Sequence, residues 1–151
     1  MELKDITKEA AVIDMGQTFS DAVRKMIEEQ ANALLVVDEE GKFAGEINVS
    51  DLFEAIVPEQ LDGDSVMNYF DSEEKFVAAV RDAADKPIEL FMSYDAEPVR
   101  ITDSIVSVAA AAIAHQHSRI PVVDHSDRPL GVISRRGLKQ IIGNFMGIKG
   151  K

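Results

Sequence analysis

Apolar and polar positions follow two rhythms along this chain, and the same succession of rhythms is written twice. Ala11-Val12-Ile13-Asp14 predicts a short strand. Thr18-Phe19-Ser20-Asp21 has the spacing of a capping box with Asp in place of Glu, and opens a helix with Ala22, Val23, Met26 and Ile27 on one face. Ala33 to Asp38 is a nearly continuous apolar run, which suits a strand covered on both sides. Glu39-Glu40-Gly41-Lys42 makes a turn, Phe43 to Ile47 a further strand, and Asn48 caps a helix carrying Leu52, Phe53, Ala55 and Ile56.

Later in the chain the order returns: a strand at Pro98 to Ile101, then a helix at Ile105 to His115. Ile120 to Val123 is again a covered strand, bounded by Ser118-Arg119 and by Asp124-His125-Ser126-Asp127. Asp127-Arg128-Pro129 turns the chain into a strand at Leu130 to Ile133, and Ser134 caps a helix whose inner face is Leu138, Ile141 and Ile142. An offset of 86 (124 − 38) lays Val36-Val37-Asp38 on Val122-Val123-Asp124, Gly45 on Gly131, Ile47 on Ile133, Leu52 on Leu138 and Ile56 on Ile142. Thr18 meets Ser104, Phe19 meets Ile105, Ile27 meets Ile113 and Gln30 meets Gln116 at the same offset. A period of that size is too long for a solenoid, so it denotes two copies of one small subdomain.

Residues 57 to 88 match nothing in the other copy. Pro58, Asp62-Gly63-Asp64 and Asp71-Ser72 read as breakers, whereas Glu73 to Asp85 holds Phe76, Val77, Val80 and Ala84 at helical spacing and stops before Pro87. The expected organisation is a first repeat over 1–62, an acidic helical insert over 63–87, and a second repeat with a tail over 88–151. Each copy opens with a lead-in segment, Leu3 to Ala10 and Ile88 to Asp95. Helix 105–115 is apolar almost all round, so it must be covered by the other copy or by a second chain; its four consecutive alanines permit close backbone approach.

Composition narrows the possibilities. At 151 residues and 46% hydrophobic the chain can bury one core or two small ones leaning on each other. No apolar run nears the roughly 18 to 20 residues that span a bilayer, and Met1 to Asp5 has no basic region followed by an apolar core, so no signal peptide is expected. The absence of cysteine removes disulfides and thiol chemistry and fits a cytoplasmic protein. The net charge of −11 is unevenly shared: residues 1–75 hold 6 bases and 19 acids, residues 76–151 hold 10 and 8. Such a chain repels nucleic acid, yet a local arginine cluster in a cleft still attracts a small anion.

Two copies of strand, helix, strand, strand, helix, each with an apolar-Val-Val-Asp segment, a Gly seven residues later and a capped helix after it, resemble the CBS-domain pair, or Bateman module. The resemblance implies an α/β fold of two tandem β-α-β-β-α repeats packed with pseudo-twofold symmetry, usually as a disc-like homodimer. It further implies a regulatory, non-catalytic sensor that binds AMP, ADP, ATP or another adenosyl ligand between the copies. The family's ligand signature is a Gly, an apolar pair, a Ser or Thr, two variable positions and an Asp for the ribose hydroxyls. Gly45-Glu46-Ile47-Asn48-Val49-Ser50-Asp51 keeps the acid, Asp51, with Asn48 for the hydroxyl; Gly131-Val132-Ile133-Ser134-Arg135-Arg136-Gly137 keeps Ser134 with Gly137 for the acid.

The second site stands on its own residues. Ser134 at a helix N-terminus leaves backbone N–H groups and the dipole facing an anion. Arg135 and Arg136 lie in that first turn, and Arg119 adds a charge-assisted fork. Ile120, Pro121 and Ile133 would flank a base; Ser93, Asn48 and Asp51 complete the ligand-binding candidates. Each has a plainer role beside this one: Asn48 and Asp51 as cap and N3 acid, Ser134 as cap alone, the arginines in water. No metal is expected of His115, His117 and His125, because His115 and His117 face different sides of a helix. Asp38 and Asp124 read as turn formers, and no nucleophile-base set, phosphate loop or dinucleotide fingerprint is present, so no enzyme activity is expected. Two functions remain: a nucleotide sensor signalling to a separate effector protein, or a dimeric interaction scaffold with empty sites.

Overall fold

Each apolar-Val-Val-Asp run becomes the middle strand of a three-stranded sheet. In the computed structural model, which describes residues 1–57, 63–115 and 119–148, Val12–Asp14 (β1) lies parallel to Ala33–Val37 (β2), which pairs antiparallel with Phe43–Asn48 (β3). Val99–Arg100 (β4), Ile120–Val123 (β5) and Pro129–Ile133 (β6) repeat that order and those directions. The helices are Phe19–Glu29 (α1), Val49–Ile56 (α2), Gly63–Tyr69 (α3), Glu73–Ala83 (α4), Ile105–His115 (α5) and Arg135–Phe145 (α6). Pro58, Asp62, His117, Ser118, Lys149 and Lys151 lie outside the described residues. The fold is thus mixed α/β, two β-α-β-β-α units with helices between them. Among the described residues no helix is long and apolar enough to cross a membrane.

The repeat extends to details of the backbone. Both hairpins carry a register shift at the same place, between Val36 and Val37 and between Val122 and Val123. Asp38 Oδ1 accepts the N–H groups of Glu40 and Lys42, and Asp124 Oδ1 those of Ser126 and Arg128, so both aspartates fasten their turns. Those backbone bonds, Arg128 first and then Ser126, hold the Asp124 carboxyl below its usual range. In α1 the Thr18 cap forms in both senses, Thr18 Oγ1 accepting from Asp21 N and the Asp21 carboxylate from Thr18 N.

The lead-in segments change places. Leu3 and Ile6 belong to the core of the second copy, with Val99, Val108, Ile120, Val122 and Ile133. Ile88 and Met92 belong to the first core, with Ile13, Ala22, Leu34, Val36 and Ile47. Paired backbone bonds hold each exchange: Lys8 with Val132, both 2.9 Å, and Ser93 with Glu46, 2.8 and 3.0 Å. The exchange also explains Gly45 and Gly131, since a Cβ at Gly45 would run into the Ser93 carbonyl and one at Gly131 into that of Lys8. The 3₁₀ turns that start the two lead-ins, Leu3–Asp5 and Ile88–Leu90, stand 85 residues apart, so the second copy gains one residue before its first strand.

The insert departs from expectation in one respect. Gly63 and Asp64 read as breakers, yet a helix begins there. Its far end is held by aromatic packing: Phe70 meets Tyr69 and Phe76 edge to face at 4.9 and 5.3 Å, so tertiary contact outweighs poor local propensity. Helix α4 docks on the first copy, where Ala84 and Lys86 carbonyls accept the first N–H groups of α1 and Lys86 Nζ donates to the Ala55 carbonyl at 2.8 Å. Phe19, Ala55 and Ala83 form a small core of their own there.

Candidate functional site

Strand register assembles the second cleft. Ile120 faces Ile133 in the antiparallel β5–β6 pair, which carries Arg119 to the side of Ser134, where α6 begins. Ser134 has extended backbone and its Oγ accepts from Gly137 N at 3.5 Å, a long bond that leaves the hydroxyl with capacity to spare. Arg135 and Arg136 are exposed in the first turn and, among the described residues, neither has an ion pair. Ile120, Pro121 and Ile133 are buried, Ile120 and Ile133 in the second core. Gly137, at the signature's acid position, is tightly packed: a Cβ would stand 3.1 Å from both Ile133 Cγ2 and the Ile6 carbonyl, so a side chain there would need a neighbour to shift by a few tenths of an ångström.

Arg119 also crosses between the copies. Its Nη2 donates to Asn48 Oδ1 at 3.3 Å. It lines a polar cleft of about 660 Å³ with Lys8, Glu9, Lys25, Glu29 and Asn32. The lysines were not legible as site residues, because one lies in the exchanged lead-in and the other on α1, neither near the signature.

The first cleft is acidic. Asp51 accepts the Asn48 N–H at 2.8 Å, Asn48 Nδ2 lies 3.5 Å from Glu46 Oε1, and the Ser93 hydroxyl donates to the Asp95 carboxylate. Burial raises the Asp51 carboxyl above its usual range against the lowering effect of the Asn48 bond, and the neighbouring Glu54, Glu46 and Asp95 charges raise it further. Glu46 is itself only 6% exposed, an unusual place for a carboxylate. Its signal in the sequence was the departure from an apolar pair after Gly45. The structure therefore brings Ser93, Asn48, Asp51 and Arg119 together, and places Ser134, Arg135 and Arg136 at the other helix start. Ala33 occupies in the first copy the position Arg119 holds in the second, so the first cleft has no cation of its own at that point. Acceptors of this kind suit hydroxyl or amino donors, whereas Arg119 with Lys8 and Lys25 offers an anion three cations in a cleft that Glu9 and Glu29 also line. Among the described residues no three carboxylate or imidazole groups are grouped to hold a metal ion.

Several solved structures share the architecture. A CBS domain-containing protein from Kribbella flavida superposes with a TM-score of 0.75 at 20% identity, covering 94% of this chain and 98% of that one. The CBS domain pair of protein MJ0100, solved with 5-methylthioadenosine and S-adenosyl-L-methionine, gives a TM-score of 0.65 at 22% identity over 95% of this chain and 100% of that one. The cytosolic domain of the Mg²⁺ channel MgtE, solved with ATP, gives 0.67 at 18% identity over 93% of this chain and 48% of that one. No curated protein matches the sequence significantly. The family model of the CBS domain matches residues 3–58 and 80–144, which span both lead-ins and both sheets and leave out the greater part of the insert. With two matched repeats, two sheets of the same strand order and directions and the lead-ins exchanged between them, the chain belongs to the CBS-domain family.

Proposed function

We propose that the protein is a non-catalytic, cytoplasmic ligand sensor that holds an adenine nucleotide (AMP, ADP or ATP) or another adenosyl anion between its two copies. Residues 1–62 and 88–151 supply the walls, and the acidic insert 63–87 stands outside the clefts. The ligand sits chiefly in the second cleft, its phosphate at the start of α6 against Ser134 and Arg119, with Arg135 or Arg136 closing over it. Ile120, Pro121 and Ile133 form the floor beneath the base. Ser93, Asn48 and Asp51 hold the hydroxyl-bearing part of a ligand in the first cleft, where clustered carboxylates disfavour polyphosphate. Ligand binding shifts the packing of the copies, and the signal passes to a separate effector protein through a homodimer.

One observation carries this reading: the backbone of Arg119 stands beside Ser134 by strand register while its guanidinium reaches Asn48 of the other copy, so one residue links the two helix starts. The MJ0100 and MgtE structures, with adenosyl ligands bound to the same fold, support the ligand class. Binding near 100 times the dissociation constant adds about 2.7 kcal/mol, which for a chain of this length raises the melting temperature by roughly 5–10 °C. AMP, ADP or ATP is expected to produce that rise, and Arg119→Ala or Ser134→Ala to reduce it. The packing of Gly137 against Ile6 favours a second reading, a dimeric scaffold with empty sites. No shift with any adenosyl ligand at millimolar concentration decides for that reading.

A further inference from the structure

The insert builds a cleft that the two repeats alone would not have. It opens between α2, α3 and α4 and holds about 560 Å³, with Phe53, Val57, Val66, Met67, Phe70 and Phe76 around it. Only Phe53, Glu54 and Val57 come from the first copy; the other described residues that line the cleft fall between 66 and 76, which the CBS model leaves out. Phe70 and Phe76 are half-buried and meet edge to face at 5.3 Å, which fixes the floor. Met67 and Phe53 are 77% and 58% exposed, so the apolar surface continues past the mouth.

The rim is acidic. Glu54 and Glu73 line the cleft, Glu74 follows in the first turn of α4, and among the described residues none of the three has an ion pair. Lys75, the nearest base in sequence, is held by Asp71 at 3.0 Å. Glu73 and Glu74 favour the start of α4 through its dipole, but Glu54 lies in the last turn of α2, where the dipole opposes a carboxylate. Helix stability does not account for Glu54, whereas a cation arriving from outside would.

Shape and charge together select the occupant. Among the described residues no strand borders the cleft, and its polar lining is Glu54, Glu73 and Ser72, whose hydroxyl already accepts from Lys75 N. An extended peptide finds no sheet edge there for its main chain, whereas a helix satisfies its own. Carboxylates at the mouth match Lys or Arg beside the apolar stripe of such a helix, and the same charge repels an anionic lipid surface. Met67 and Phe53 extend the contact beyond the reach of a small amine.

We infer that this cleft docks a basic amphipathic helix of a separate protein, apolar side chains a turn apart entering against Phe70 and Phe76 and flanking Lys or Arg meeting Glu54 and Glu73. The inference goes beyond the sensing reading and does not depend on it, since none of Ser134, Arg119, Asn48 and Asp51 lines the cleft.

The full chain is panned against a displayed random peptide library, and the enriched peptides are measured by fluorescence anisotropy. Helical peptides with apolar residues at i, i+4 and i+7 and flanking Lys or Arg are expected. Met67→Lys, at an exposed position, should weaken their binding about tenfold or more. Glu54→Gln with Glu73→Gln should weaken it about three- to tenfold and flatten its salt dependence. Circular dichroism and the urea midpoint check that each variant folds. No enrichment, enriched peptides that are acidic or lack the helical period, or binding equal in parent and variants would overturn the inference. A fall in the mass of Met67→Lys by light scattering would give the cleft to a second copy and overturn it as well. The melting shift of the parent with ATP is read separately, so failure of the sensing reading and failure of this one are told apart.

Discussion

A carbonyl of the exchanged lead-in fills the space where residues 45 and 131 would carry a side chain, and this makes glycine a packing requirement at both. Gly45→Ala or Gly131→Ala must displace backbone rather than the tip of a flexible side chain, so each is expected to cost about 1–3 kcal/mol, the usual range for overpacking. Urea unfolding measures it, and unchanged stability in both would refute the close approach. Asp51 makes a prediction of a different kind. Its folded pKa is raised, chiefly by burial, so the folded chain keeps the proton to a higher pH than the unfolded one. The ionised carboxyl therefore costs stability at neutral pH, and the cost fades as pH falls through the folded pKa. Asp51→Asn keeps an oxygen for the Asn48 N–H and removes the charge. It should melt higher than the parent at pH 7, with an advantage that shrinks toward acid; an advantage independent of pH would exclude the electrostatic account.

Caps and strand pairs were the elements easiest to read. Thr18 and Asp21 form the two-way cap that their spacing announced, and Thr18→Ala should cost about 1 kcal/mol, read as a lower urea midpoint at unchanged slope. The covered strands β2 and β5 were equally legible, because four or five apolar residues between turn formers have few other places to go. The start of α3 was not, since Gly63 and Asp64 argue against a helix and the Phe70–Phe76 contact that holds its end joins residues outside it. Nor was the partner of Arg119, since a bond to a residue 71 positions away leaves no trace in local pattern. The candidate site was therefore legible as two signatures and their defects. What the sequence withheld was that the Arg119 guanidinium bonds Asn48 of the other copy, that lysines from α1 and a lead-in line the same cleft, and that Glu46 is buried.

At the scale of the whole molecule, the exchanged lead-ins decide whether two small subdomains unfold separately or together. Leu3, 1% exposed, completes the second core although it begins the chain, and Ile88, 0% exposed, completes the first although it follows the insert. Losing order in either copy releases the lead-in that belongs to it, and with that segment goes part of the other core. Leu3→Ala removes a buried leucine from the second core and should cost about 2–5 kcal/mol. If the copies are independent, only the second should loosen. The exchange predicts otherwise: a single calorimetric transition, with calorimetric and van't Hoff enthalpies equal before and after the substitution. It also predicts that the backbone amides of Ile47 in the first sheet and Ile133 in the second lose hydrogen-exchange protection to the same extent under conditions where exchange reports global unfolding. Two resolved transitions, or a loss of protection confined to Ile133, would show that the lead-ins decorate the copies rather than couple them. The ligand-driven shift in packing would then lack a route from one cleft to the other.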